Sequence, residues 1–268
     1  MARLKTTNTP NLEVLLVPTG PMMLAIEQAV MRGHRWSLAA PPVADRIAVR
    51  IAGAITMNLI HAGHRLLETD ISETLHVSRA PVREALRILE RERLVEFQAR
   101  HGAIVTAPDA DDLRDIYVVR DALFQILLQQ LMAEQADALR SVFDLHMPRI
   151  VEAAGAAAVD DYALQSFLLS LAMTDLSRNR VVVDLLTSIS LRTLRYVRLG
   201  LAADPALVHG SLKTWRALQR AIERRDLAAV LDTASKRIAA SRDAAVRAIT
   251  PPIAPARKAA GPLKPARS

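Results

Sequence analysis

Cysteine is absent from the 268 residues, and with it go disulfide frameworks, thiolate zinc sites and cysteine nucleophiles. A reducing compartment, the cytoplasm, is the expected location. Aromatic residues are almost as scarce, 3% against 51% apolar residues in all. The core must therefore be built from Leu, Ile, Val, Met and Ala, which favours helices over sheets. Long apolar runs are missing too. Asp121, Gln125, Glu134 and Asp184 interrupt the longest of them well short of the ~18 residues that a membrane span needs. The short stretch Leu12 to Pro18 contains Glu13 and no small-residue cleavage pattern follows it, so it does not read as a signal peptide. There is no phosphate-cradling glycine loop, nucleophile elbow or paired His-Glu metal motif, which leaves an enzyme reading nothing to stand on.

The net charge of +7 suggests a polyanionic partner, but its distribution limits the inference. Lys and Arg against Asp and Glu number four to two over residues 1–40, nine to eight over 41–108, eighteen to eighteen over 109–250 and four to none over 251–268. The excess lies in the tails, so a folded nucleic-acid site has to be argued from local arrangement.

The grammar of the chain changes three times. Residues 1–40 mix Pro, Thr, Gly and Met around one modest helical stretch, Met22–Met31, and read as an arm that is poorly ordered or docks elsewhere. Residues 41–108 alternate helix-period patterns with short turns and end in two β-rich strings, Leu94–Gln98 and Ala103–Thr106, around Arg100-His101-Gly102. That predicts three helices and a β-wing. Residues 109–250 have helical spacing throughout, with breaks near Met147-Pro148, Gly155, Arg178-Asn179, Asp204-Pro205 and Arg225-Asp226, which predicts about six helices in an antiparallel bundle. The tail 251–268 is Pro-rich and basic, a solubilising end or a weak phosphate-gripping arm. The fold class expected is mainly α: a winged helix-turn-helix followed by an all-α bundle.

The most informative string is Glu68 to Leu94. Ile71 and Leu75 are four apart and Val77 follows a tight turn, so a first short helix can bury one face against a second. Ser78 is placed to be the N-cap of that second helix, with Pro81 in its first turn, where a missing N–H leaves no intrahelical bond unmade. At 100° per residue Arg79, Arg83 and Arg87 share one flank while Val82, Ala85, Leu86 and Leu89 gather on the next. Two readings fit the arginine row. It is a solvated charged face, helped by Glu84 and Glu90, or it is a row of guanidinium forks for guanine O6 and N7 or for phosphates. The wing favours the second, because Gly102 permits close backbone approach to DNA and Arg100 and His101 can reach phosphates or the minor groove.

The run Val77-Ser78-Arg79-Ala80-Pro81-Val82-Arg83-Glu84-Ala85-Leu86, then Leu89, Leu94-Val95 and Arg100-His101-Gly102-Ala103-Ile104-Val105, resembles the signature of GntR-family bacterial transcription regulators. The resemblance implies a winged helix whose Arg79 and Arg83 read the major groove of a short inverted repeat. It puts Ser78, Ala80 and Pro81 at the start of the reading helix and His101 and Gly102 at the wing tip. Three positions depart from the pattern: Asn58 for a usual glycine, Ala62 for a usual proline, and Thr69 where some members carry a phosphate-binding arginine.

Asp112–Leu123 and Ala221 to Asp226 resemble the FadR-like branch of the family. Its C-terminal domain, called FCD, is a helical bundle that dimerises the protein and holds small metabolites, often organic acids, in many members through a metal bound by one Asp and three His. Aligned on Asn179, and on Ala221 and Asp226, those four ligands fall on Ser166, Ser170, Trp215 and Arg237, a set without competent metal donors. No metal or other cofactor is expected. His209 reads as a surface or capping residue and His61-Ala62-Gly63-His64 as a turn. Arg237 could instead capture a carboxylate directly, with Ser166 and Ser170 as hydroxyl donors and Trp215 as an apolar wall. The opposing reading is a decayed pocket, with Arg237 snorkelling to solvent and Trp215 packed as core. Arg120, at the branch's recurrent arginine, is a further candidate.

The expected function is therefore a sequence-specific DNA-binding regulator, a homodimeric repressor on double-stranded DNA, tuned by a small carboxylate metabolite and touching no membrane. A constitutive regulator whose bundle only dimerises, and a nonspecific architectural DNA binder, are the rival readings.

Overall fold

The computed structural model describes residues 10–16, 20–32, 42–98 and 102–250. A short 3-10 turn, Leu12–Leu16, precedes helix α1, Pro21–Arg32. The winged helix follows as α2 (Val43–Thr56), β1 (Arg65–Leu66), α3 (Glu68–Thr74), α4 (Arg79–Arg91), β2 (Val95–Gln98) and β3 (Gly102–Val105). Its three strands form one antiparallel sheet in the order β1-β3-β2, with Arg65 opposite Ile104 and Val95 opposite Val105. The three helices and the two longer strands are where the hydrophobic periods place them. β1 is additional, since two residues are too short to show a period.

Six helices complete the described chain: α5 (Ala110–Glu134), α6 (Ala136–Gly155), α7 (Val159–Asp175), α8 (Arg180–Ala203), α9 (Leu207–Glu223) and α10 (Leu227–Ile249). Three of their starts, those of α5, α8 and α10, are capped by short polar side chains, which take up orphan N–H groups. Asp109 and Asp112 make a reciprocal capping box on α5, Asn179 accepts from Val182 N on α8, and Asp226 accepts from Ala229 N on α10. The expected break at Met147-Pro148 is not there, because Pro148 lies inside α6. The ring removes one backbone bond, but Leu139, Phe143, Met147, Ile150 and Ala153 all bury one continuous face, and that burial outweighs the ~3 kcal/mol a mid-helix proline costs. The break falls instead at Gln135, whose side-chain amide donates to Leu176 O at 2.8 Å.

The segment around α1 is docked. Met22, Met23, Ala25, Ile26 and Ala29 are buried and the helix packs on α2, α7 and α8. Gly53 of α2 makes room for it: a Cβ there would sit 1.9 Å from Met23 Sδ.

Among the described residues five other than glycine hold positive φ: Asn58, His76, Arg93, Ala157 and Arg225. Each closes the C-terminus of a helix by the same paired bonds, for example Ala158 N to Ala153 O with Ala157 N to Ala154 O, and Asp226 N to Ala221 O with Arg225 N to Ile222 O. This is the Schellman closure, which glycine usually completes because an L side chain in that conformation costs about 1–2 kcal/mol. Ala157 is exposed. Its replacement by glycine is expected to stabilise the bundle by about 1 kcal/mol, raising the thermal midpoint by ~2–4 °C, and Ala157→Val to lower it. An unchanged midpoint in both would show that the turn is not strained.

Candidate functional site

Helix α4 exposes Arg79, Ala80, Arg83 and Arg87 and half-buries Pro81, while Val82, Ala85, Leu86, Ile88 and Leu89 are buried. The two flanks expected from the 100° spacing are therefore segregated, core on one side and guanidinium groups on the other. Ser78 occupies the N-cap position, yet its side chain caps nothing. The reason is local: Pro81 stands at the third helical position and lacks the N–H that an N-cap hydroxyl usually takes. Across the turn, α3 begins with Glu68 and Thr69. Thr69 Oγ1 donates to Asp70 Oδ1 at 2.9 Å, so this hydroxyl is engaged within its own helix. Glu68 takes the Arg83 fork bidentately, from Nε at 2.9 Å and Nη2 at 2.8 Å. That hydrogen bond, with the charges of Arg79 and Arg87 added, holds the Glu68 carboxyl below its ordinary range.

In the wing, Gly102 does not form the tip. It opens β3 opposite Gln98 with φ +75°, a backbone state that favours glycine. Arg100 and His101 lie outside the described residues.

The bundle encloses a cavity of about 60 Å³, and Arg120, Ser166, Ser170, Trp215 and Arg237 all line it, with Tyr117, Phe124, Ser190 and Ser241. Five residues chosen from four separate stretches of sequence thus meet in one place. Trp215 is buried, donates from Nε1 to Ser166 Oγ at 3.2 Å, and meets Phe143 edge-on at 5.9 Å between ring centroids. Ser170 Oγ donates to Ser166 O at 2.9 Å within α7. Arg237 does not snorkel. Its guanidinium lies 3.4 Å from the Trp215 ring centroid and donates to Ser211 Oγ at 2.8 Å. Burial, with Arg120 nearby, pushes it down to about 10, against a smaller opposing influence of Tyr162. It remains a cation at neutral pH.

Arg120 donates from Nη1 to Thr193 Oγ1 at 2.6 Å and faces Tyr117 and Phe124, its carbon 5.8 and 5.7 Å from their ring centroids. Its Nε is buried without a partner, as is the Tyr162 hydroxyl. Burial lowers its pKa as well. Both arginines keep some accessible surface, and both line the cavity. Among the described residues neither has a carboxylate within ion-pair distance. A second cavity of about 120 Å³, lined by Tyr162, Ser166, Ser211 and Thr214, adjoins the first across Arg237.

The winged helix can be placed among known proteins. Residues 43–105 match the family described as bacterial regulatory proteins, gntR family. Over residues 43–105 the winged helix is thus of the GntR type. The HTH-type transcriptional regulator YdhC of Bacillus subtilis (strain 168) is 37% identical over 75 residues, 28% of this chain and 33% of that protein. The gluconate operon transcriptional repressor of the same strain is 36% identical over 87 residues, 32% of this chain and 35% of that protein. The chain thus matches about a third of the length of these curated relatives. A transcriptional regulator, GntR, from Rhodococcus sp. RHA1 superimposes with a TM-score of 0.58 at 22% identity, covering 77% of this chain and 96% of that one. McbR/YncC of E. coli gives 0.60 at 15%, covering 82% and 95%. These likenesses extend the shared fold beyond the GntR domain into the helical bundle.

A metal of the kind that the FadR-like resemblance implies does not fit the donors present. Ser166 Oγ already accepts from an indole, Ser170 Oγ donates along its helix, Trp215 has no lone pair to give, and Arg237 would repel the ion. Among the described residues no three His, Cys, Asp or Glu side chains cluster. His61 and His64 share the turn expected of them, their rings 5.1 Å apart, with His64 Nδ1 accepting from His61 N at 3.3 Å. His209 is exposed near the start of α9. No described helix is long and apolar enough to cross a membrane.

Ser166 falls on an expected ligand position, and its structural partner is Trp215 Nε1. Ser166→Ala leaves that buried donor without an acceptor and is expected to cost ~1–3 kcal/mol, lowering the thermal midpoint by several degrees, whereas Ser170→Ala should cost much less. Equal melting of the two variants and wild type would show that the indole bond carries no weight.

Proposed function

We propose that the chain is a cytoplasmic bacterial transcription regulator of the FadR-like kind, which binds a short inverted repeat as a homodimer, represses from it, and is tuned by a small carboxylate held in the bundle without a metal. One observation carries the ligand: two arginines face one cavity with no acidic partner among the described residues. Sheltered charge is retained only where something pairs it, and an anion from solution is the missing partner. Room for a water corresponds to ~10–15 Å³ in such a cavity, so 60 Å³ suits an acid of about four to six non-hydrogen atoms. Aromatic walls supply apolar contact, and Tyr117, Ser190 and Ser241 supply hydroxyls.

For DNA, the support is the exposed arginine flank of α4 set beside a β-wing in a GntR domain. A single reading helix reaches only a few base pairs, so a two-fold protein on a two-fold site is the economical arrangement. Val118, Val119, Val181 and Leu185 leave apolar surface on α5 and α8 that a second copy would cover.

Two measurements test this reading. On duplexes selected from a random pool by the full-length protein, Arg83→Ala should weaken binding ~10- to 100-fold, in line with the ~1–3 kcal/mol of a bidentate base contact. On unselected duplex the loss should stay within about threefold. Equal losses on both would make the arginine row a backbone clamp.

For the bundle, a panel from acetate to pyruvate and malonate is expected to contain acids that raise the melting midpoint by several degrees near 100 times their dissociation constant. Arg237→Met should abolish that shift while melting no lower than wild type when unliganded, because it removes a sheltered charge. Stabilisation by the same acids that survives Arg237→Met, or stoichiometric zinc, nickel or manganese in protein purified without chelator, would overturn the ligand assignment.

A further inference from the structure

The contact between Glu68 and Arg83 ties the DNA-facing flank of α4 to α3. The side chains are 25% and 57% exposed, and an ion pair this open adds little to stability. Its geometry is nevertheless specific. Arg83 gives Glu68 its Nε and one Nη2 hydrogen. A guanidinium has five N–H groups, so three remain: one on Nη2 and one on Nη1 share the terminal edge, and the second on Nη1 points back beside Cδ. That remaining edge is itself a two-donor fork of the kind that meets guanine O6 and N7.

Resting on the DNA-reading role proposed above, we infer that Glu68 is a positioning residue for sequence discrimination. It fixes the orientation of the Arg83 fork before DNA arrives, and it cancels one charge of the Arg79, Arg83, Arg87 row. Both actions favour the selected sequence over others. A fork held in register loses less freedom on binding, and a row with one charge fewer is drawn less strongly to phosphates of any sequence. The short α3 starts at Glu68, so the carboxylate is presented by a second element of the same domain, and its hold on Arg83 depends on α3 and α4 keeping their packing.

The test is a double-mutant cycle on full-length protein, with selected and unselected duplexes titrated over a range of salt. Glu68→Gln should lower the ratio of selected to unselected affinity by ~10-fold, and it should steepen the log–log salt dependence on unselected duplex by about one. Glu68→Asp, with the charge kept and the reach shortened, should lose ratio while keeping the wild-type slope. In an Arg83→Ala background, Glu68→Gln should leave the ratio where Arg83→Ala alone put it. If Glu68→Gln preserves or raises the ratio, Glu68 competes with DNA for Arg83, and the positioning role is overturned. If Arg83→Ala alone leaves the ratio unchanged, the base-reading role of Arg83 fails and that of Glu68 with it. A ratio lowered by Arg83→Ala but untouched by Glu68→Gln sinks Glu68 alone.

Discussion

Leu191 and Leu194 project from α8 into the apolar cluster that also contains α2, α4 and the wing, while Val182, Leu186, Tyr196 and Leu201 of the same helix pack into the bundle. Helix α8 therefore contributes to two cores, as α7 does through Leu164, Phe167 and Leu171 in the first and Tyr162, Leu169 and Met173 in the second, and the placement of everything else follows from that sharing. Polar contacts reinforce it: Arg195 donates to Asn58 Oδ1, and Arg198 donates to Thr56 O at 2.8 Å and to Asp160 Oδ1 at 2.7 Å. Both arginines meet the C-terminal end of α2, where backbone carbonyls lack intrahelical partners and a cation is favourable. α1 closes the junction from a second side. The segment that most resembles its relatives, 43–105, is consequently only part of the physical unit that holds the reading helix in place.

The same helix lines the cavity with Ser190, Leu194 and Val197 and anchors Arg120 through Thr193. Thr193 and Arg195 lie two residues apart, one engaged with the cavity and the other with the winged helix. A change in what Arg120 bonds is thereby felt by an element that already touches α2, with no chain of intermediates. This contiguity is what coupling between sites requires, although it is the existence of two arrangements of α8 that would make coupling a switch.

Much of this was legible in the chain. The three helices and two longer strands of the winged helix follow from strong periods and short turns. The segregation of Arg79, Arg83 and Arg87 from Val82, Ala85 and Leu89 follows from spacing alone. The helix starts at Asp109, Asn179 and Asp226 carry recognisable caps. Illegible were features set by long-range packing. Gln135 ends α5 without any Gly or Pro to announce it, and Pro148 announces an end that a continuous buried face overrides. The Glu68–Arg83 fork joins residues fifteen apart on two helices, and no local pattern marks it. The docking of α1 depends on Gly53, an unremarked residue in the middle of another helix. In the cavity, the family alignment led to Ser166, Ser170, Trp215 and Arg237, but Thr193, Ser211 and Tyr162, which touch or face its arginines, carry no sequence signal of their own.

The two sheltered guanidinium groups have a consequence for how this molecule answers to its solvent. Arg120 acts on Arg237 as a like charge, so on the proposed reading the bundle would gain when a small anion enters the space between them. Association with a nucleic acid responds the other way, since every added salt ion weakens the release of counterions that drives it. On the function proposed above, one variable would tune the two halves of the chain with opposite signs: a buffer rich in chloride or phosphate would tighten the interior while loosening the grip on DNA.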